Sequence, residues 1–139
     1  MGRIGLNRER VNLHSCEETL AFGRKMGETL PRNAVIALSG DLGAGKTTFV
    51  QGLAQGLGIM ERVQSPTFVI LNVYEGLYHF DLYRLKSAEE FVGLGFEEYF
   101  HKEGICAIEW PDRIGQILPP ETIHIHFSYD QNGRVVNIL

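Results

Sequence analysis

The chain has 139 residues, of which 44% are hydrophobic and 22% charged, and it carries a net charge of −4. That length supports one domain around one core and leaves little room for a separate substrate domain, a lid or a base-reading insertion. The acidic balance gives no broad positive field to draw in nucleic acid, so any RNA contact is expected to fall mainly to a partner.

At the start of the chain, Met1-Gly2-Arg3-Ile4-Gly5 lacks the apolar stretch of a secretory leader. No later run approaches the roughly 18 apolar residues of a membrane span, so a cytoplasmic protein is expected. Val11 to Leu13 is a short extended piece. Ser15-Cys16-Glu17-Glu18 has the S-x-x-E form of a capping box, and Leu20, Ala21, Gly23 and Met26 follow at helical spacing. These predict a helix to about Leu30, ahead of Pro31. Val35 to Ser39 is apolar and reads as a buried strand.

Gly40 to Thr47 then reads G-D-L-G-A-G-K-T, a match to G-x-x-x-x-G-K-T between a strand and a helix. That is a Walker A phosphate loop in the context its chemistry requires. Asp41, Leu42, Gly43, Ala44, Gly45, Lys46, Thr47 and Thr48 are the candidate cradle. The glycines let the backbone curl so that successive N–H groups face a phosphate. The new helix adds its unpaired N–H groups and the positive end of its dipole. Lys46 is placed to reach the β and γ phosphates, and the Thr47 hydroxyl to ligate Mg²⁺. The chain is therefore expected to bind a nucleoside triphosphate. Phe49, Val50, Leu53, Ala54 and Leu57 continue the helix as an apolar stripe that fades at Gly56 and Gly58.

Val63 to Tyr74 is β-rich but broken early by Ser65-Pro66-Thr67, and Glu75-Gly76 separates it from a second β-rich run, Leu77 to Leu82. The pair predicts an antiparallel hairpin. Ser87-Ala88-Glu89-Glu90 is a second capping box, opening a helix that ends near Gly93 or Gly95, and Phe96 to Phe100 reads as a helical turn. Ile105-Cys106-Ala107-Ile108 is the unbroken run of a strand buried on both faces, where Cys106 is a small core side chain. With no C-x-x-C spacing, Cys16 and Cys106 are expected as free thiols in a reducing compartment. Ile123 to Phe127 and Arg134 to Ile138 flank a turn at Asp130 to Gly133. The expectation is one α/β domain over residues 1–139, a P-loop NTPase-like three-layer fold. Its mixed sheet would be parallel around the phosphate loop and antiparallel at one edge.

Three further places carry chemistry. Ile108-Glu109 puts a carboxylate where a buried strand leaves the core, the Walker B position, with a glutamate one methylene longer than the usual aspartate. It can meet Mg²⁺ directly or through water. In His79-Phe80-Asp81-Leu82-Tyr83-Arg84, strand alternation places His79, Asp81 and Tyr83 on one face and Phe80 and Leu82 on the other. Asp81 is a candidate to orient attacking water or to join the metal's outer shell, and Arg84 to neutralise phosphate charge; the competing reading is a solvated strand face. Ser65-Pro66-Thr67-Phe68 has the look of a switch segment, or of a bend before a strand. Trp110 reads as a core or rim side chain. His124 and His126 share a strand face without a third ligand for zinc.

Taken in order, Gly40 to Thr48, Ser65 to Phe68, His79 to Arg84 and Glu109-Trp110-Pro111 resemble the four motifs of the TsaE family, also called YjeE. That is the bacterial ATPase family of the tRNA threonylcarbamoyladenosine pathway. The resemblance runs from about Leu13 to Arg134. It implies ATP and ADP as ligands, Mg²⁺ dependence, weak intrinsic ATPase activity, and work with the TsaB and TsaD proteins, with tRNA reached through that complex. It also implies that Thr47 and Glu109 hold Mg²⁺ and that Asp81 lies near the triphosphate, so Asp81, Lys46 and Glu109 are the expected catalytic set. Ser15, Cys16, Gly133 and Arg134 are implied to border the nucleotide. A small-molecule P-loop kinase is the alternative. Such kinases close an arginine-bearing lid over the phosphates, and Glu89 to Lys102 contains no arginine. A nucleotide-gated binding module without turnover is a third reading.

Overall fold

The computed structural model describes residues 9–40, 45–66, 69–131 and 133–139. Seven strands form one sheet: β1 (Glu9–Leu13), β2 (Val35–Gly40), β3 (Leu71–Tyr74), β4 (Leu77–Asp81), β5 (Ile105–Glu109), β6 (Ile123–Asp130) and β7 (Gly133–Ile138). The helices are α1 (Cys16–Thr29), α2 (Lys46–Gly56) and α3 (Ala88–Gly93), with 3₁₀ segments at Phe96–His101 and Pro111–Ile117. Across the sheet the order is β1-β7-β6-β2-β5-β4-β3. The four central strands β6, β2, β5 and β4 are parallel. The expected antiparallel edge is the β3–β4 hairpin, turned at Glu75-Gly76. A second antiparallel flank, β6–β7–β1, extends the other side.

Strand alternation divides the core into two layers. Ile36 and Leu38 of β2, Ile105 and Ala107 of β5, Leu77 of β4 and Phe127 of β6 pack with Phe49, Val50 and Leu53 of α2. Val35, Cys106, Ile108, Phe80 and Leu82 face the other way, against Phe91 and Ile114. Helices on both faces of a mixed sheet with a parallel centre give the three-layer arrangement. Burial pushes the Cys106 thiol up to about 12, as befits a core side chain.

Both serine caps form, but the reciprocal half of each capping box is shifted by one residue. The Ser15 and Ser87 hydroxyls accept from the amides of Glu18 and Glu90, each at 3.1 Å. The glutamates reach back to the residue before the cap, accepting from His14 N at 3.0 Å and Lys86 N at 2.8 Å. Ser15 thereby fixes the entry of α1 beside the phosphate-loop helix.

The α1–α2 contact was not legible as such in the sequence. Gly23 and Gly27 of α1 meet Gly52 and Gly56 of α2 backbone to backbone, and a Cβ added at Gly52 would stand 2.2 Å from the Leu20 carbonyl oxygen. Backbone cannot rotate aside as a side chain does. Gly52→Ala is therefore expected to destabilise by about 1–3 kcal/mol, although alanine is the better helix former by about 1 kcal/mol. Thermal unfolding checks this: a lower Tm is expected, and an unchanged or higher one would show that the helices can separate at no cost.

Two strand expectations need correction. Among the described residues of the β-rich stretch Val63 to Tyr74, only Leu71–Tyr74 is strand. Ile70 sits at φ 69, a left-handed conformation that a β-branched residue adopts under strain. Its amide bonds the Pro66 carbonyl at 3.0 Å, which bends the chain instead of extending it. And β4 ends at Asp81, so Tyr83 does not continue the His79–Asp81 face.

Candidate functional site

Strand β2 ends at Gly40, where φ is 123 and a Cβ would lie 1.9 Å from the Phe127 carbonyl oxygen of β6. Only glycine lets the chain leave the sheet there. Asp41, Leu42, Gly43 and Ala44 lie outside the described residues. Description resumes at Gly45, the left-handed N-cap of α2 at φ 102, with no side-chain cap on the helix. Lys46 begins the helix and is buried at 5% exposure, with Nζ donating to the Gly40 carbonyl at 3.0 Å. The same ammonium lies 4.6 Å from the centroid of the Trp110 ring. Thr47 and Thr48 follow, half-buried in the first turn.

The carboxyl ends of the parallel strands line up beside this helix. Leu38 of β2, Glu109 of β5 and Asp81 of β4 are successive partners across the sheet. By alternation from Ile105 and Ala107, and from Leu77, the Glu109 and Asp81 side chains lie on the α2 face. Crevices at the carboxyl ends of parallel strands are where open α/β sheets hold ligands. Glu109 is 5% exposed and Asp81 8%. His79, with no exposure at all, sets Nε2 2.7 Å from Glu109 Oε2. The solvated-face reading of this strand is thus overturned for His79 and Asp81, which are both buried.

Burial raises the Asp81 carboxyl above its ordinary value; the Tyr83 amide opposes this, the Glu109 carboxylate adds to it, and His79 and Lys46 oppose it. The Tyr83 N–H donates to Asp81 Oδ1 at 3.0 Å, so the carboxylate itself closes the turn that ends β4. Tyr83 is carried outward, exposed, its ring 5.0 Å from that of Trp110. Arg84 is exposed in the same turn. The Asp81 amide donates to the carbonyl of strained Ile70 at 2.7 Å, tying β4 to the Ser65-Pro66 segment. Thr67 and Phe68 lie outside the described residues.

On the other side of Gly45, β1–β7 pairing brings Leu13 opposite Arg134. The Arg134 guanidinium bonds Thr19 Oγ1 at 3.4 Å and Cys16 Sγ at 3.6 Å, and its Cδ would be 3.3 Å from a Cβ at Gly45. Ser15, Cys16, Gly133 and Arg134 therefore gather beside the N-cap of α2. His126 is engaged elsewhere, with Nδ1 3.0 Å from Ser39 Oγ. The residues that sequence reasoning undervalued are His79, whose partner is fixed only by strand register, and Trp110, which lies against the Lys46 ammonium.

The family model described as threonylcarbamoyl adenosine biosynthesis protein TsaE matches residues 13–136. The chain belongs to the TsaE family. The tRNA threonylcarbamoyladenosine biosynthesis protein TsaE of Treponema pallidum (strain Nichols) is 46% identical over 123 residues, covering 86% of this chain and 91% of that protein. The TsaE protein of Nostoc sp. is 46% identical over 132 residues, covering 89% and 80%. The TsaE protein of Bacillus subtilis (strain 168) is 45% identical over 113 residues, covering 78% and 70%. The crystal structure of Bacillus subtilis YdiB superposes with a TM-score of 0.81 at 35% identity, covering 95% of this chain and 84% of that one. Membership places the chain in tRNA threonylcarbamoyladenosine biosynthesis as a P-loop NTPase-like protein. Among the described residues, no helix is long and apolar enough to cross a membrane.

Proposed function

We propose that this TsaE-family protein binds ATP with Mg²⁺ at Gly40–Thr48, hydrolyses it slowly, and acts with TsaB and TsaD in the cytoplasm. Together they form the threonylcarbamoyl group on an adenosine of tRNAs reading codons that begin with adenine. The chain, residues 1–139, serves as a single nucleotide-binding domain and reaches tRNA through the complex. The observation that carries this reading is Lys46: a buried ammonium at a helix N-terminus, with no ion pair among the described residues. A triphosphate is the anion whose geometry the strand, loop and helix suit.

The surrounding donor set fits the same ligand. The Thr47 hydroxyl and the Glu109 carboxylate are the hard oxygen donors that would hold Mg²⁺. When bound, that ion neutralises charge on the β and γ phosphates. Asp81, whose raised proton affinity strengthens it as an acceptor, orients the attacking water. Lys46 follows the charge that develops on the γ-phosphate as the bond to ADP breaks. Ser15, Cys16, Gly133 and Arg134 border the nucleotide on the far side of Gly45, where Arg134 adds a second positive charge.

Thr47→Ala and Glu109→Ala test the metal half of this reading. Each is expected to raise the Mg²⁺ concentration needed for half-maximal stimulation of ATP binding, by about tenfold or more, the scale on which metal-site changes act. Wild-type Mg²⁺ titrations in both variants would move the metal elsewhere. Phosphate release by the pure protein, faster with TsaB and TsaD, tests the ATPase half. ADP formation that needs an added hydroxyl acceptor would identify a kinase instead.

A further inference from the structure

Glu109 poses a positional problem. A glutamate at the Walker B position has one more rotatable bond than an aspartate, so its carboxylate can swing away from the metal unless something holds it. Among the described residues, one side chain is within hydrogen-bond distance of it: His79, 30 positions earlier, with Nε2 2.7 Å from Oε2. A carboxylate only accepts, so Nε2 carries the hydrogen and donates. The register supports this aim, because His79 pairs with Ala107 and Glu109 lies two residues further along β5 on the same face.

The rest of the imidazole earns nothing for the fold. Its Nδ1 is buried and finds no partner among the described residues, an unsatisfied polar atom that a leucine would not leave. Leu77, Ile105 and Ala107 beside it are all apolar and fully buried. An apolar residue would pack there at lower cost, so packing does not account for the histidine; the bond to Glu109 does.

We propose that His79 is a positioning residue for Mg²⁺ binding, its Nε2–H fixing Oε2 of Glu109 and leaving Oε1 for the metal or a metal-held water. This rests on the reading of Glu109 as a Mg²⁺ ligand. Partners that orient metal-binding carboxylates typically carry about 10–100-fold in metal affinity.

The test follows binding of a fluorescent ATP analogue, in EDTA and across a Mg²⁺ titration, for the wild type, His79→Leu, His79→Gln, Glu109→Gln and the His79→Leu/Glu109→Gln double variant. His79→Leu is expected to keep metal-free affinity and to shift the Mg²⁺ midpoint by about 10–100-fold. His79→Gln, with a donor at the same reach as Nε2, should recover most of that shift. In the double variant, loss of His79 should add nothing to loss of Glu109. If the leucine variant does not fold, His79→Asn, whose amide is too short to reach Glu109, takes its place against glutamine. Equal losses with and without Mg²⁺, failure of glutamine to rescue, or additive shifts in the double variant would each overturn the proposal. A wild-type Mg²⁺ response in Glu109→Gln would instead overturn the ligand assignment, and the role of His79 with it.

Discussion

Lys46→Ala is expected to remove tight nucleotide binding while leaving the fold in place. The ammonium touches the Gly40 carbonyl and the Trp110 ring and belongs to neither hydrophobic layer. Its removal costs the apo protein one hydrogen bond and one cation–π contact, about 1–3 kcal/mol together before relaxation. In the complex the loss is larger, because the phosphates would be left buried without their cation, a change of about 3 kcal/mol or roughly a hundredfold in Kd. Lys46→Arg is expected to fail as well. The site asks for a compact point charge at the start of a helix, which a planar, forked guanidinium does not supply. Titration with a fluorescent ATP analogue, alongside thermal unfolding, separates the two effects. Wild-type affinity in Lys46→Ala would remove the phosphate-loop reading. A collapse of Tm with little change in affinity would make Lys46 a structural residue.

What could be read from the sequence was what is local along it. The phosphate loop, its strand and its helix occupy consecutive residues, and both serine caps announce helices within four residues. Glu109 was legible because an unbroken apolar run ends on it. Pairings that depend on sheet order were not. The His79–Glu109 bond needs β4 beside β5, and the Arg134–Cys16 contact needs β7 to close onto β1; neither order is encoded in a local pattern. Tyr83 was assigned to the wrong face because alternation was carried one step past Asp81, whose own carboxylate caps the Tyr83 amide and turns the chain. At Ile70, β-branched composition argued for strand, but the hydrogen bonds to the Pro66 carbonyl hold the backbone in a left-handed bend. The close α1–α2 contact was missed because glycines inside a helix read as weak points until the opposing glycines are seen across from them.

Asp81→Asn is expected to make the protein more stable and a poorer catalyst. Asp81 is held above its ordinary carboxyl value, chiefly by burial and further by the neighbouring Glu109 carboxylate. A carboxyl raised on folding binds its proton more tightly in the native state, so native stability falls as pH rises from the ordinary value of 3.8 through the folded value. Once ionised in the folded state the wild type bears that penalty, and asparagine, which never ionises, does not. The carboxamide oxygen can still accept the Tyr83 N–H, so the turn ending β4 survives. The variant should therefore have the higher Tm at pH 7, with the difference shrinking as pH falls toward 3.8. ATP affinity is expected to stay within about tenfold, roughly 1.4 kcal/mol, because the proposed contact is to water and not to the nucleotide. Hydrolysis stimulated by TsaB and TsaD should be mostly lost, since an interaction made in the transition state affects turnover more than binding. Threonylcarbamoyladenosine formation under multiple turnover should fall with it. Higher stability with normal hydrolysis would show that Asp81 is buried only to end a strand, whereas lower stability would mean that its attraction to Lys46 and His79 outweighs burial.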